Sequence, residues 1–329
     1  MEPALTIIIP AYNVERYVLD AVQSALGQTY RDLEVVVVDD GSTDRTAELL
    51  ASVEDPRLRV IRQENRGLSG ARNAGIRAAR GRYIGFLDAD DRWMPEKAEH
   101  QLAVMEADSL IGITYCHSRY IDEAGAETGR VLFSRSRQPT LAQMIRRNRV
   151  GNGSTPIVRA ACFEEAGYFD ETLRSCEDWE MWVRILRQTP YVARLVPEIL
   201  TCYRVNTESL SMDFDPFIEN AERAVAKVMS QTPQIPLRVH REGHAAMYRI
   251  TATKALYNDQ RPKSMELLAR AFRLCPWLLL IDPRAWVTLA MLPLPQGLAT
   301  TARTAVGWIA RPVSLRSRLQ GKPAANGSV

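Results

Sequence analysis

The sequence predicts an α/β fold: a mainly parallel sheet with flanking helices, followed by an α-helical C-terminal extension. Three observations carry this prediction. Over roughly the first ninety residues, short apolar runs alternate with helix-spaced segments, the pattern of a parallel sheet with covering helices. Two of the runs, Val35-Val36-Val37-Val38 and Tyr83-Ile84-Gly85-Phe86-Leu87, are unbroken, as expected of strands buried on both faces. Each is followed by acid, Asp39-Asp40 and Asp88-Ala89-Asp90-Asp91. A parallel sheet brings its strand ends to one edge, where ligands of open α/β sheets bind.

The elements follow in order. Residues 5–9 read as a first strand, ending at Pro10. Val14, Tyr17, Val18, Ala21, Val22 and Ala25 then recur at helical spacing. Residues 33–38 form the second strand, and Ser42-Thr43-Asp44 can cap a helix running through Ala47, Leu49 and Leu50. A third strand at 58–61, a helix at 70–79 and a fourth strand at 83–87 complete the alternation. Beyond Asp91 the pattern is mixed, with a helix at 95–105, a strand at 111–120 and a short helical face of Leu141, Met144 and Ile145. Gly151-Asn152-Gly153-Ser154 reads as a loop, and residues 177–186 as a helix with Trp179, Trp182, Val183 and Leu186 on one stripe. From Phe217 to Leu274 nearly everything is helical, including a hairpin of residues 245–257 and 263–274. The predicted division is a catalytic domain over 1–210 and a helical region over 211–329.

Composition narrows the function classes. Hydrophobic residues make up 46% and charged residues 25%, ordinary for a globular protein with its own core. A net charge of +3 is too small to argue for nucleic acid. Five scattered cysteines without a CxxC pair suggest reduced, mostly buried thiols in a cytoplasmic protein. No basic segment opens the chain, so no signal peptide is expected. The most apolar late stretch, 276–295, is interrupted by Asp282-Pro283-Arg284, so no bilayer span of about 20 residues is expected.

The acidic clusters suggest chemistry. A nucleoside diphosphate leaves poorly unless its growing negative charge is neutralised, which a bound Mg2+ or Mn2+ does as a Lewis acid. Mg2+ takes one or two carboxylates and completes its shell with phosphates and water. Asp88 and Asp90 suit this demand, because alternate residues of an extended strand end project to the same side. The competing reading is that Asp39, Asp40 and Asp91 cap helices, Asp91 ahead of Arg92-Trp93-Met94-Pro95.

These residues resemble the family 2 glycosyltransferases. Ile7-Ile8-Ile9-Pro10-Ala11-Tyr12-Asn13, Gln28-Thr29-Tyr30 and Val38-Asp39-Asp40-Gly41-Ser42-Thr43-Asp44 look like that family's opening. Asn65-Arg66-Gly67-Leu68-Ser69-Gly70-Ala71-Arg72-Asn73-Ala74-Gly75, Phe86-Leu87-Asp88-Ala89-Asp90-Asp91 and Cys176-Glu177-Asp178-Trp179 match its later signatures. The resemblance covers about residues 5–204. It implies a GT-A-type, Rossmann-like fold, a nucleotide-sugar donor with UDP-sugars favoured, Mg2+ or Mn2+, and inversion at the anomeric carbon. Carried over, it places Pro10, Tyr12 and Glu15 near the nucleobase, Asp40 on base or ribose, and Arg72 on base or diphosphate. Asp88 and Asp90 would hold ribose and metal, and Asp178 would be the general base, with Glu177 beside it. Taken alone, Glu177-Asp178 reads as the acidic start of a helix; with the rest of the constellation it reads as catalytic.

Weaker signals complete the reading. Trp93 and Trp179 are acceptor-side candidates, Trp182 a core residue, and the loop at 151–155 a wall of the acceptor pocket. His240 and His244 share a helical face but lack HExxH and a third ligand, and read as surface histidines. No GxGxxG or GxxxxGK[ST] is present. From Pro283 onward the sequence carries Arg284, Arg303, Arg311, Arg316, Arg318 and Lys322 and no acid. Leu298, Ala302, Ala305, Val306 and Ile309 share a helical face there, and residues 323–329 read as disordered. Several readings of the C-terminal region stand side by side: a packing module covering the catalytic domain, a partner-binding helical surface, peripheral contact of 283–322 with the inner face of the cell membrane, or a helical appendage with a solvated basic face. The acceptor implied is a glycan or a lipid-linked sugar, with no nucleic-acid partner. The alternatives are a nucleotidyltransferase on a related fold, whose Gly-rich basic loop is absent, and a non-catalytic nucleotide-sugar-binding protein, whose mark would be loss of Asp90 or Asp178.

Overall fold

The computed structural model describes residues 2–134, 136–205, 214–282 and 284–293. Its elements are β1 (Leu5–Ala11), α1 (Val18–Leu26), β2 (Leu33–Asp39), α2 (Thr46–Ala51), β3 (Leu58–Arg62), α3 (Gly67–Ala78), β4 (Tyr83–Phe86), β5 (Arg92–Trp93), α4 (Lys97–Ala107), β6 (Ile111–Ile121) and β7 (Glu127–Leu132). They continue with α5 (Leu141–Arg146), β8 (Ile157–Arg159), α6 (Ala161–Ala166), α7 (Glu177–Gln188), β9 (Val192–Arg204), α8 (Phe214–Gln231), α9 (Leu237–Tyr257), α10 (Arg261–Leu274), α11 (Leu278–Ile281) and α12 (Arg284–Met291). The chain divides into two compact units between Tyr248 and Arg249.

In the first unit the described strands form one mixed sheet in the order β3-β2-β1-β4-β8-β6-β9-β5, with β7 paired to β6. The predicted parallel core is there: β1 lies parallel to both β2 and β4, and β2 to β3. Register fixes the site. Ala11 stands opposite Asp39 and Ile8 opposite Phe86, so both acidic clusters emerge at the same edge, flanking the end of β1. Alternation along β1 sends Leu5, Ile7 and Ile9 to one face, where α1 packs Val18, Ala21, Val22 and Ala25. Ile8 faces the other way with Ile84 and Phe86. There Phe86 meets Phe169 edge-on at 5.5 Å, and Trp182 is 1% exposed, the core position its helical stripe predicted. Each such side chain contributes about 1.5–3 kcal/mol by leaving water.

The structure departs from the sequence reading where local pattern was weak. β5, β7, β8, β9 and α6 had no prediction. β9 carries Pro197 and Glu198 in mid-strand, both exposed. Its register against β6 jumps there, four residues of β9 spanning two of β6, a bulge that accommodates the missing proline N–H. Asp44 does meet the start of α2, accepting from the Thr46 N–H at 2.9 Å. Asp91 caps no helix: α4 begins only at Lys97. His240 is buried at 5% exposure with its ring beside Thr232, and His244 stacks on Tyr248 at 4.7 Å, so neither is a free surface histidine. None of the five cysteines forms a disulfide.

The second unit is helical. The predicted second hairpin helix of residues 263–274 is α10, which starts earlier, at Arg261, with Pro262 in its first turn, where a missing N–H costs nothing. Leu267, Leu268, Ala271, Cys275 and Leu278 are buried. Asp282 accepts from Arg249 at 3.0 Å and from Arg284 at 2.6 Å. Among the described residues no helix is long and apolar enough to cross a membrane. The face of Leu298, Ala302, Ala305, Val306 and Ile309, the basic stretch beyond residue 293, and residues 323–329 lie outside the described residues.

Candidate active site

The site forms where β1, β2 and β4 end. Asp39 and Asp40 are almost fully buried, and both order loops. Asp39 accepts from the Ser42 N–H at 2.9 Å, closing a turn that needs positive φ at Gly41 (+80°). Asp40 accepts from Gln63 Nε2 at 2.7 Å and from the N–H groups of Arg66 and Gly67 at 2.9 and 2.7 Å. Its carboxylate thus fixes the approach to α3, which begins at Gly67. The loop after β1 is tied to the loop after β2: Asn13 accepts from Thr43 N–H, and Glu15 accepts from Arg45 N–H while donating its own N–H to Asp44. Pro10 is the penultimate residue of β1, and Tyr12, 48% exposed, follows the strand.

Arg72 is the centre of the site. It projects from α3, 2% exposed, and donates to Asp88 Oδ1 at 2.8 Å and to Glu177 Oε1 at 2.6 Å. Burial works against its charge, but Asp88 and Glu177, with Asp178 beyond, outweigh it and hold the guanidinium above its ordinary pKa. The ring of Phe169 lies against it at 5.5 Å. One buried cation therefore joins the residues just after β4 to the start of α7, with Arg72 and Glu177 105 residues apart in sequence.

Glu177 and Asp178 open α7, after Cys176 in the left-handed conformation (φ +59°). The helix start favours their charge. Asp178 accepts from the Trp179 N–H at 2.6 Å and from Asn148 Nδ2 at 3.2 Å. Burial first, then the Glu177 carboxylate, pushes its pKa up to about 7, with Arg72 pulling the other way. A half-buried carboxylate poised near neutrality is what proton abstraction at physiological pH requires.

Residues to which the sequence reading gave no such role hold these groups. Ser154 accepts from the Asp88 N–H at 3.0 Å and donates to Asp91 Oδ2 at 2.6 Å. Asp91 also accepts from the Arg204 N–H at 2.8 Å. Burial, then the neighbouring Asp90 and Asp88, raises the Asp91 pKa well above the carboxylate range. Arg204, at the end of β9, donates to the Asp90 carbonyl at 2.7 Å and to the carbonyls of Asp122 and Glu123, and lies 4.6 Å from the Tyr17 ring centre. The only hint in sequence was an arginine closing the polar-apolar run Thr201-Cys202-Tyr203-Arg204.

Trp93, expected on the acceptor side, is corrected. It is 3% exposed and donates to the Ser154 carbonyl at 2.9 Å. Its ring is covered by Lys97, 4.4 Å away, and by Gly85, where a Cβ would come within 2.4 Å of the indole. It has no face left for a sugar. Trp179 is half-buried, with its indole N–H on the Met144 carbonyl at 2.7 Å.

Among the described residues no three His, Cys, Asp or Glu side chains gather to hold a metal by themselves. Asp88 and Asp90 are half-buried at one edge. Two carboxylates suit Mg2+ or Mn2+ when a diphosphate supplies further oxygens, so the donor set fits an ion shared with a ligand.

The glycosyl transferase family 2 model matches residues 6–176, more than half of the chain. The uncharacterized glycosyltransferase RT0329 of Rickettsia typhi is 33% identical over 195 residues, 56% of this chain and 59% of that protein. The UDP-Glc:alpha-D-GlcNAc-diphosphoundecaprenol beta-1,3-glucosyltransferase WfaP of Escherichia coli is 32% identical over 210 residues, 63% of this chain and 79% of that protein. The chain thus spans about three fifths of the length of the Rickettsia relative. Among solved structures, S. aureus TarS 1–349 in complex with UDP-GlcNAc superposes with a TM-score of 0.62 at 18% identity, covering 92% of this chain and 88% of that one. That likeness supports a GT-A-like α/β fold with a helical C-terminal region.

Proposed function

The chain belongs to glycosyl transferase family 2, and from that premise we propose that it transfers a sugar, with inversion, from a nucleotide-sugar donor to the hydroxyl of a glycan or lipid-linked acceptor. The observation that carries this reading is the Arg72 bridge. It brings a donor-side carboxylate, Asp88, and a neutral-poised carboxylate, Asp178, to one site. Inversion needs a base on the face of the sugar opposite the leaving diphosphate, and Asp178 is that base: it takes the proton of the acceptor hydroxyl as the oxygen attacks. Glu177 keeps Asp178 protonatable near pH 7 and holds Arg72 in place. Arg72, a permanent cation with a planar fork, offsets the negative charge of the site when a diphosphate binds.

Asp90, with Asp88, would hold the Mg2+ or Mn2+ ion, which supplies Lewis-acid neutralisation of the departing diphosphate. Pro10, Tyr12 and Glu15 form the nucleobase wall, and Asp40 shapes it through residues 63–67. Trp179 stands nearest the base on the acceptor side. A UDP-sugar is the favoured donor, supported by the activity for which the WfaP relative is named, which acts on a diphosphoundecaprenol-linked sugar.

A donor screen tests the reading. Incubation with Mn2+ and a panel of UDP-, GDP- and TDP-sugars should release nucleoside diphosphate from a UDP-sugar, and Asp90→Ala should abolish that release. Release unchanged by Asp90→Ala, or binding without turnover on any acceptor class, counts against it.

A further inference from the structure

We infer that the loop of residues 148–155 is the positioning device of the reaction, with Asn148 orienting the base Asp178 and Ser154 orienting the donor-side Asp88. The inference rests on the reading of Asp178 as base and deepens it. One short segment reaches Asp178, Arg72, Asp88 and Asp91. At its start, Asn148 donates one amide N–H to Asp178 Oδ2 at 3.2 Å and the other to the Gly151 carbonyl at 3.1 Å. In its middle, Gly153 lies so close to Arg72 and Asp88 that a Cβ would fall 2.5 Å from Arg72 Nη2 and 2.6 Å from Asp88 Oδ2. At its end, the Ser154 hydroxyl joins the Asp88 N–H to the Asp91 carboxylate.

The loop is built to hold still. Thr155 Oγ1 donates to the carbonyls of Val150 and Asn152 at 2.7 and 2.9 Å, and Asn152 accepts from the Ser154 N–H while donating to Ser118. Beneath it stands Lys97, fully buried. Its ammonium donates to the Thr155 carbonyl at 2.7 Å and to the Gln101 side chain, and faces the Trp93 ring at 4.4 Å. Burial lowers its pKa to about 8, a cost the fold accepts in a group anchoring the loop from below. Such a support, locking the groups that touch substrate, is how a site keeps its geometry.

The two ends of the loop predict separable defects. Asn148 donates to the ionised form of Asp178 and so favours it. The charged groups that bear on Asp178 are Glu177 of α7, Arg72 of α3 and Asp88 after β4, and none changes in the variants. In Asn148→Ala the acid limb of kcat should move up by about one pH unit, the worth of one hydrogen bond to a charged group, with the donor KM unchanged. Asn148→Asp keeps the shape and adds a like charge, so its limb should move further up; it decides the matter if the alanine variant folds poorly. Ser154→Ala should raise the donor KM roughly tenfold, the same hydrogen-bond worth, and leave the limb in place. Asp178→Asn is measured alongside. If it retains activity, the base assignment fails. If it is inactive while both Asn148 variants keep the wild-type limb, or Ser154→Ala leaves the donor KM unchanged, the loop is overturned as a positioning device.

Discussion

At the residue scale the account turns on how one arginine and two acids share charge. Arg72 is buried between Asp88 and Glu177, so Arg72→Ala strands a buried carboxylate. The expected loss is about 3–5 kcal/mol of stability, measurable as a lowered denaturation midpoint; a midpoint within error of wild type contradicts the bridge. Asp178 sets the pH dependence. Its pKa is raised to about 7, and the base works only when ionised, so kcat should fall as pH drops through about 7. Part of that elevation comes from the Glu177 charge. Glu177→Gln keeps an acceptor for Arg72 and removes the like charge, so the limb should move to lower pH. A limb that stays, or moves up, removes Glu177 as a tuning charge. The acids and Arg72 were legible because charged residues at strand ends and helix starts break the local apolar pattern. Ser154, Asn148 and Arg204 were not, since a serine, an asparagine and a strand-closing arginine have no signal until the fold brings them to Asp88, Asp178 and Asp90.

At the scale of elements, the parallel strands were readable because burial on both faces writes itself as unbroken runs such as Val35-Val36-Val37-Val38. The antiparallel half was not. β8 has three residues, β5 two, and β9 carries an exposed Pro197-Glu198 bulge; their pairing is dictated by distant partners rather than local pattern. The approach of the 148–155 loop depends on the lack of a side chain at Gly153. Gly153→Ala should weaken donor binding at least tenfold by calorimetry, because the displaced groups are Arg72 and Asp88, hydrogen-bonded charges worth over 1 kcal/mol each. Unchanged affinity would show that the loop yields freely. In the core beside Arg72, Phe86→Ala should cost about 3–5 kcal/mol, since its ring is packed among Phe163, Phe169 and Trp182; a small loss in a urea melt contradicts the core described.

At the scale of the whole molecule, every named site residue lies in the first unit, and Arg249 begins the second. The sequence changes texture near residue 210, where strands cease, yet Val228 of α8 and Val239 of α9 belong to the same buried cluster as Phe86 and Trp182, so helical composition marks the end of the sheet rather than the end of the first unit. The central claim is that Asp178 removes the acceptor proton in a sugar transfer. It is tested most directly by acceptor-dependent release of nucleoside diphosphate from the preferred UDP-sugar at pH 8, wild type against Asp178→Asn, with donor affinity measured on both. The account predicts that the variant binds donor as wild type does and loses turnover by about 100- to 10,000-fold, the worth of a general base. Turnover within a fewfold of wild type, at equal donor affinity, would contradict it.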